Sequence, residues 1–239
     1  MNKNDIEIGK NRTGIDLSPV EKRLLIEAAE TAVPSMEGDE TMLEETRAEY
    51  LDEGETIGSM PPPLTVQGAT FTMREAVTSS QTSMLLDRLG ERLAFERTGV
   101  RLYAALIGKL DASDPPPGGP SHAELEKIQR EEAEHFTMLR DAILMLGADP
   151  TALTPAADAA AVSSMGLLQV VGDPRMTIAQ SLDAILVAEL VDNDSWILLC
   201  ALTRAVGHER IARRFDRALA EEQRHLAAIR MWVKRATLT

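Results

Sequence analysis

Residues 132–135 read Glu132-Ala133-Glu134-His135, and residues 222–225 read Glu222-Gln223-Arg224-His225. Each stretch spaces a carboxylate and an imidazole three residues apart, which puts them on one face of a helix. The flanking apolar pattern makes both segments helical. Leu125, Ile128, Leu139, Ala142 and Leu146 recur at helical spacing, and positions 132 and 135 fall where a plain bundle would carry leucine. Phe215, Ala218 and Ile229 do the same around 222 and 225. Two lone glutamates share this inward phase. Glu96 lies between Leu89/Leu93 and Val100/Tyr103, and Glu189 between Leu182/Ile185 and Trp196.

Working outward, the pattern predicts four long helices. The first covers residues 80–110 and stops before Asp114-Pro115-Pro116-Pro117-Gly118-Gly119-Pro120, which no helix crosses. Ser121 with Glu124 forms a capping box for the second, which ends at Leu146 before Gly147. A connection of about 28 residues follows, over 147–174, with a short helix predicted across 156–170; hairpin neighbours need far less chain. The third helix starts after Asp173-Pro174 and ends near Val206, Gly207-His208 breaks the chain, and the fourth ends near Lys234. Short link, long crossover, short link is the connectivity of a ferritin-like four-helix bundle, all-α.

Composition agrees. The 239 residues are 44% hydrophobic but only 3% aromatic, with 11 Met, poor in the β-branched and aromatic runs of sheets. Cys200 is the single cysteine; it excludes a rubredoxin-type four-cysteine iron centre and reads as a buried, inert thiol. Residues 1–70 carry 15 acidic against 6 basic side chains, −9 of the net −13, and are punctuated by Pro and Gly. They read as an N-terminal arm with short helices over 20–32 and 41–51, ahead of a bundle spanning 71–239. An acidic chain without a basic patch argues against nucleic acid. No apolar run has the length of a membrane span or a signal peptide, so the expected location is the cytoplasm.

Burying an ionised carboxylate costs several kcal/mol unless it is paired or binds a metal. Four at one level of a bundle, Glu96, Glu132, Glu189 and Glu222, call for cations, and two divalent ions would neutralise them. One imidazole for each ion, His135 and His225, with so many carboxylates suits iron or manganese better than zinc. The spacing also repeats: an aromatic stands seven residues after each lone glutamate, Tyr103 and Trp196. Both read first as core packing, with a supporting place beside the metals as the second reading. Asp192, three residues after Glu189, is a candidate for the same supporting role. Glu131, Glu134 and Glu221 read as surface acids, and His122 and His208 as exposed histidines at helix starts.

Glu96, Glu132-Ala133-Glu134-His135, Glu189 and Glu222-Gln223-Arg224-His225 resemble the ligand set of the ferritin-like superfamily of carboxylate-bridged dimetal proteins, over roughly residues 80–235. Thr13-Gly14-Ile15 and the proline-rich segment before the bundle resemble the leader of a group of bacterial ferritin-like proteins. The resemblance implies that Glu132 and Glu222 bridge two metals, that Glu96 and Glu189 are terminal ligands, and that His135 and His225 each bind one ion. It departs from ribonucleotide reductase small subunits, because position 139 is Leu where the radical tyrosine would stand.

The expected function is that of a di-iron oxidoreductase, reacting with O2 or peroxide as a ferroxidase or peroxidase. A dimanganese, catalase-like enzyme is the near alternative, an oxygenase acting on an organic substrate a third. The rival from another class is a non-enzymatic structural or interaction bundle with a vestigial site. A homodimer or larger homo-oligomer is expected, with the arm against a neighbour.

Overall fold

Leu85, Leu89, Leu93, Glu96, Gly99, Tyr103 and Leu106 recur every three or four residues and are all buried, so the segment that carries them coils as an amphipathic helix with one inward stripe. The computed structural model describes residues 27, 41–53, 81–113 and 115–238. Among them are six helices and no strand: α1 Thr41–Glu53, α2 Gln81–Asp111, α3 His122–Met145, α4 Pro155–Gly172, α5 Ile178–Ala205 and α6 Glu209–Leu238. The chain divides into Met1–Glu55, which contains α1, and Thr56–Thr239, which contains the other five. The expected boundary between residues 70 and 71 lies outside the described residues, as do the Thr13-Gly14-Ile15 leader and, apart from Glu27, the predicted helix at 20–32. No helix among the described residues is long and apolar enough to cross a membrane.

Local chemistry explains the helix ends. Ser121 and Glu124 form the capping box foreseen for α3. Thr177 and Gln180 form a second one, so α5 begins at Ile178 rather than directly after Pro174. The Lys109 ammonium donates to the carbonyls of Asp173 and Met176 and to the Ser181 hydroxyl, tying the α4–α5 link to the end of α2. Gly147 and Gly207 follow α3 and α5 at φ 78° and 86°, the left-handed conformation that ends a helix and that glycine adopts without penalty.

The apolar side chains form two clusters. One gathers Leu85, Leu89 and Leu93 from the start of α2, Leu139, Ala142, Ile143 and Leu146 from the end of α3, Trp196, Leu199 and Cys200 from late α5, and Ile211, Phe215 and Ala218 from early α6. The other gathers late α2, early α3, early α5 and late α6: Leu102, Tyr103 and Leu106, Leu125 and Ile128, Ile178, Leu182, Ala184, Ile185 and Ala188, Ile229 and Trp232. Thus α2 and α6 run one way and α3 and α5 the other. The connection from Leu146 to Ile178 leaves one cluster and arrives at the other, and its helix α4 packs on α2 and α5. Close approach of α4 to α2 depends on Gly90, where a Cβ would sit 2.5 Å from the Thr154 hydroxyl oxygen. Thr154 in turn caps α4 and bonds the Asp87 carbonyl.

Candidate dimetal centre

Between the two apolar clusters lies a layer of buried polar side chains. Glu96, Glu132, His135, Glu189, Glu222 and His225 are each at most 3% exposed. Their position follows from helix periodicity: the inward stripe of each of α2, α3, α5 and α6 becomes polar at this level and is apolar towards both ends. The structure brings all six together. Donor atoms of Glu132, Glu189, Glu222 and His225 lie within 4.8 Å of one another, and so do those of Glu96, His135 and Glu222. Either group could hold a metal ion. Glu222 belongs to both groups, whereas Glu132, expected to bridge with it, joins only the first.

Several of the donor atoms have no hydrogen-bond partner within the protein. Glu96 Oε2, Glu189 Oε2, Glu222 Oε1 and His135 Nδ1 are buried without a hydrogen-bond partner. His135 Nδ1 and Glu222 Oε1 are 2.5 Å apart, yet not aligned for a hydrogen bond. Orphaned acceptors at this density are costly unless a cation shares them. The protonation pattern reflects the same crowding. Burial, reinforced by Glu222 and Glu96, raises Glu132 well above the usual carboxylate range. Burial and Glu222 lift Glu189 to about 8. Burial opposes charge on both imidazoles, but contacts with Glu222 and Glu96 push His135 up to about 11, and contacts with Glu132 and Glu222 do the same for His225. Glu222 is held low despite its burial, because both imidazoles face it.

Around the six, four supporting contacts cross from one helix pair to the other. The Tyr103 hydroxyl on α2 donates to Glu189 Oε1 on α5, and Trp196 Nε1 on α5 donates to Glu96 Oε1 on α2 at 2.9 Å. Core packing, the first reading of these aromatics, is only part of their role: Trp196 also stands edge-on to His135 and Phe215. The histidines behave alike. Both turn Nδ1 inward, while His135 Nε2 meets Glu221 and His225 Nε2 meets Glu131, each at 2.9 Å. Glu131 and Glu221 are therefore not the plain surface acids expected, although Glu134 is exposed; crossing contacts of this kind cannot be read from a single helix. His122 and His208 join neither group.

Three further residues escaped the sequence reading. Arg92 is buried and shares one guanidinium nitrogen, Nη2, between Asp192 and, at 3.8 Å, Glu96 Oε1. Asp192, a candidate for a supporting role, is thus the arginine's ion-pair partner. Gly99 makes room for Glu132: a Cβ there would sit 2.1 Å from Glu132 Oε2. Asn193 donates to the backbone carbonyls of Glu189 and Glu222, joining α5 to α6 at the level of the site. The available signal was phase. Arg92 and Gly99 continue the inward series Leu85, Leu89, Glu96, Tyr103. Cys200 is buried as expected, and burial pushes its thiol up to about 11.

No protein-family model, curated protein or solved structure matches this chain.

Proposed function

We propose that the chain is a ferritin-like dimetal protein, with one long crossover between α3 and α5, and that it works as a di-iron oxidoreductase. The observation that carries this reading is the overlap of two buried ligand groups at the single carboxylate of Glu222. A carboxylate common to both groups would hold two cations close to each other. The helix directions and the long link between the two apolar clusters support the fold assignment. A donor set of four carboxylates and two imidazoles favours iron or manganese over a closed zinc site.

Two bound ferrous ions would supply two one-electron couples side by side, the chemistry needed to oxidise Fe(II) or to reduce O2 or peroxide. The chain's own residues do the rest. Glu96, His135 and Glu222 would hold one ion, and Glu132, Glu189, Glu222 and His225 the other. Tyr103 and Trp196 occupy Oε1 of Glu189 and of Glu96, which leaves each Oε2 free to bind. Glu131 and Glu221 accept the outer N–H of the histidines and reach partly exposed positions, so protons have a way out on the α3–α6 side. The apolar clusters above and below exclude bulk water.

The test is metal quantification on protein from its native source, followed by anaerobic Fe(II) loading and exposure to O2 or peroxide. Two irons per chain that oxidise on exposure are expected. A protein that holds only manganese and evolves O2 from peroxide would replace this reading with the catalase-like one. A protein that takes up neither metal would be a non-enzymatic bundle.

A further inference from the structure

The two halves of the centre match closely, and where they differ the difference concerns charge. Glu96 and Glu189 occupy equivalent places, as do Tyr103 and Trp196, Glu131 and Glu221, and the two histidines. Four residues before Glu189 stands Ile185, an apolar core side chain; four residues before Glu96 stands Arg92, a buried cation. Three residues after Glu189 stands Asp192, paired with that arginine; three residues after Glu96 stands Gly99, which has no side chain. The Arg92–Asp192 pair therefore has no counterpart in the other half, and its guanidinium Nη2 faces Glu96 Oε1. The donor counts differ in the same sense. Three residues converge beside Arg92, and four converge in the half without it, because the space at Gly99 lets Glu132 lie with Glu189 and His225.

We infer that the two metal positions are unequal. The position formed by Glu132, Glu189, Glu222 and His225 holds a resident divalent ion, and the position formed by Glu96, His135 and Glu222 exchanges its ion, with Arg92 as the residue that keeps it weak. The positive end of the buried Arg92–Asp192 pair faces Glu96 Oε1 and disfavours a divalent cation there. This rests on the dimetal reading above.

Titration of the full-length, chelator-treated protein with Co(II), followed by calorimetry, tests the inequality. Anomalous diffraction at one Co(II) per chain locates the first ion. The expected result is two binding phases separated by about tenfold or more in affinity, with the first ion among Glu132, Glu189, Glu222 and His225. The paired substitution Arg92→Met with Asp192→Asn should tighten the second phase towards the first. Two ions that bind together, or a first ion beside Glu96 and His135, would overturn the inequality and leave the dimetal reading standing. Failure to bind Co(II) at either position would overturn both. Should the double variant not fold, location of the first ion in the unsubstituted protein decides the matter alone.

Discussion

Trp196 Nε1 and Glu96 Oε1 lie 2.9 Å apart, joined across 100 residues of sequence, and Tyr103 and Glu189 are joined in the same manner in the opposite direction. Each aromatic stands two turns beyond one lone glutamate and serves the other. The two helix pairs are thus locked to each other through the site.

Substituting Trp196 with Phe removes the donor to Glu96 and leaves a second buried oxygen of that carboxylate unsatisfied. A loss of about 1–3 kcal/mol is expected from the orphaned acceptor, with further loss from packing against His135 and Phe215. Urea denaturation of the chelated protein measures it. A variant as stable as the parent would mean that this hydrogen bond is not made.

Gly99→Ala separates helix propensity from site packing. Alanine in an exposed helix interior gains about 1 kcal/mol over glycine. Here its Cβ would sit 2.1 Å from Glu132 Oε2, so the carboxylate must move. The expected outcome is an unchanged far-ultraviolet circular dichroism spectrum with weakened metal binding at the four-donor position. A more stable G99A protein with full metal affinity would contradict the geometry.

Glu131→Gln and Glu221→Gln each remove the carboxylate charge that faces the outer nitrogen of a histidine carried by the opposite helix. Loss of such a supporting carboxylate typically costs 10–100-fold in metal affinity. E131Q should act through His225 on the four-donor position, and E221Q through His135 on the other. Site-resolved Co(II) titration distinguishes this crossed pattern from one in which each variant weakens its own helix's ligands.

Stability of the metal-free protein should fall as pH rises. Glu189, at about 8 against an ordinary 4.5, contributes stability that is complete below 4.5 and lost as pH climbs through 8. His135 and His225, at about 11 against 6.5, contribute stability that is complete below 6.5 and lost towards 11. Glu222, depressed, acts oppositely: its contribution is present above 4.5 and lost as pH falls. Melting temperature should therefore peak in mildly acidic solution and decline from pH 6 to 9. Loading two divalent ions at pH 7 should release about four protons, two from imidazolium rings and two from the acids Glu132 and Glu189. Calorimetry in buffers of different ionisation enthalpy counts them, and release of none would mean that the cations bind elsewhere.

What the sequence determined by itself was local. A period of 3.6 residues placed Glu96, Glu132, His135, Glu189, Glu222 and His225 on the inward faces of helices, because the face of a helix is a property of spacing alone. Capping residues marked the ends of α3, and the energetic cost of a buried carboxylate pointed to cations. The tertiary structure decided what lies opposite each inward residue. That Tyr103 serves Glu189 and not Glu96, that Glu131 and Glu221 hold the histidines of the other helix, and that Arg92 stands beside only one group are contacts between segments as much as 100 residues apart. Such contacts depend on the rotation and axial shift of packed helices, and those are set by all the side chains of both apolar clusters together.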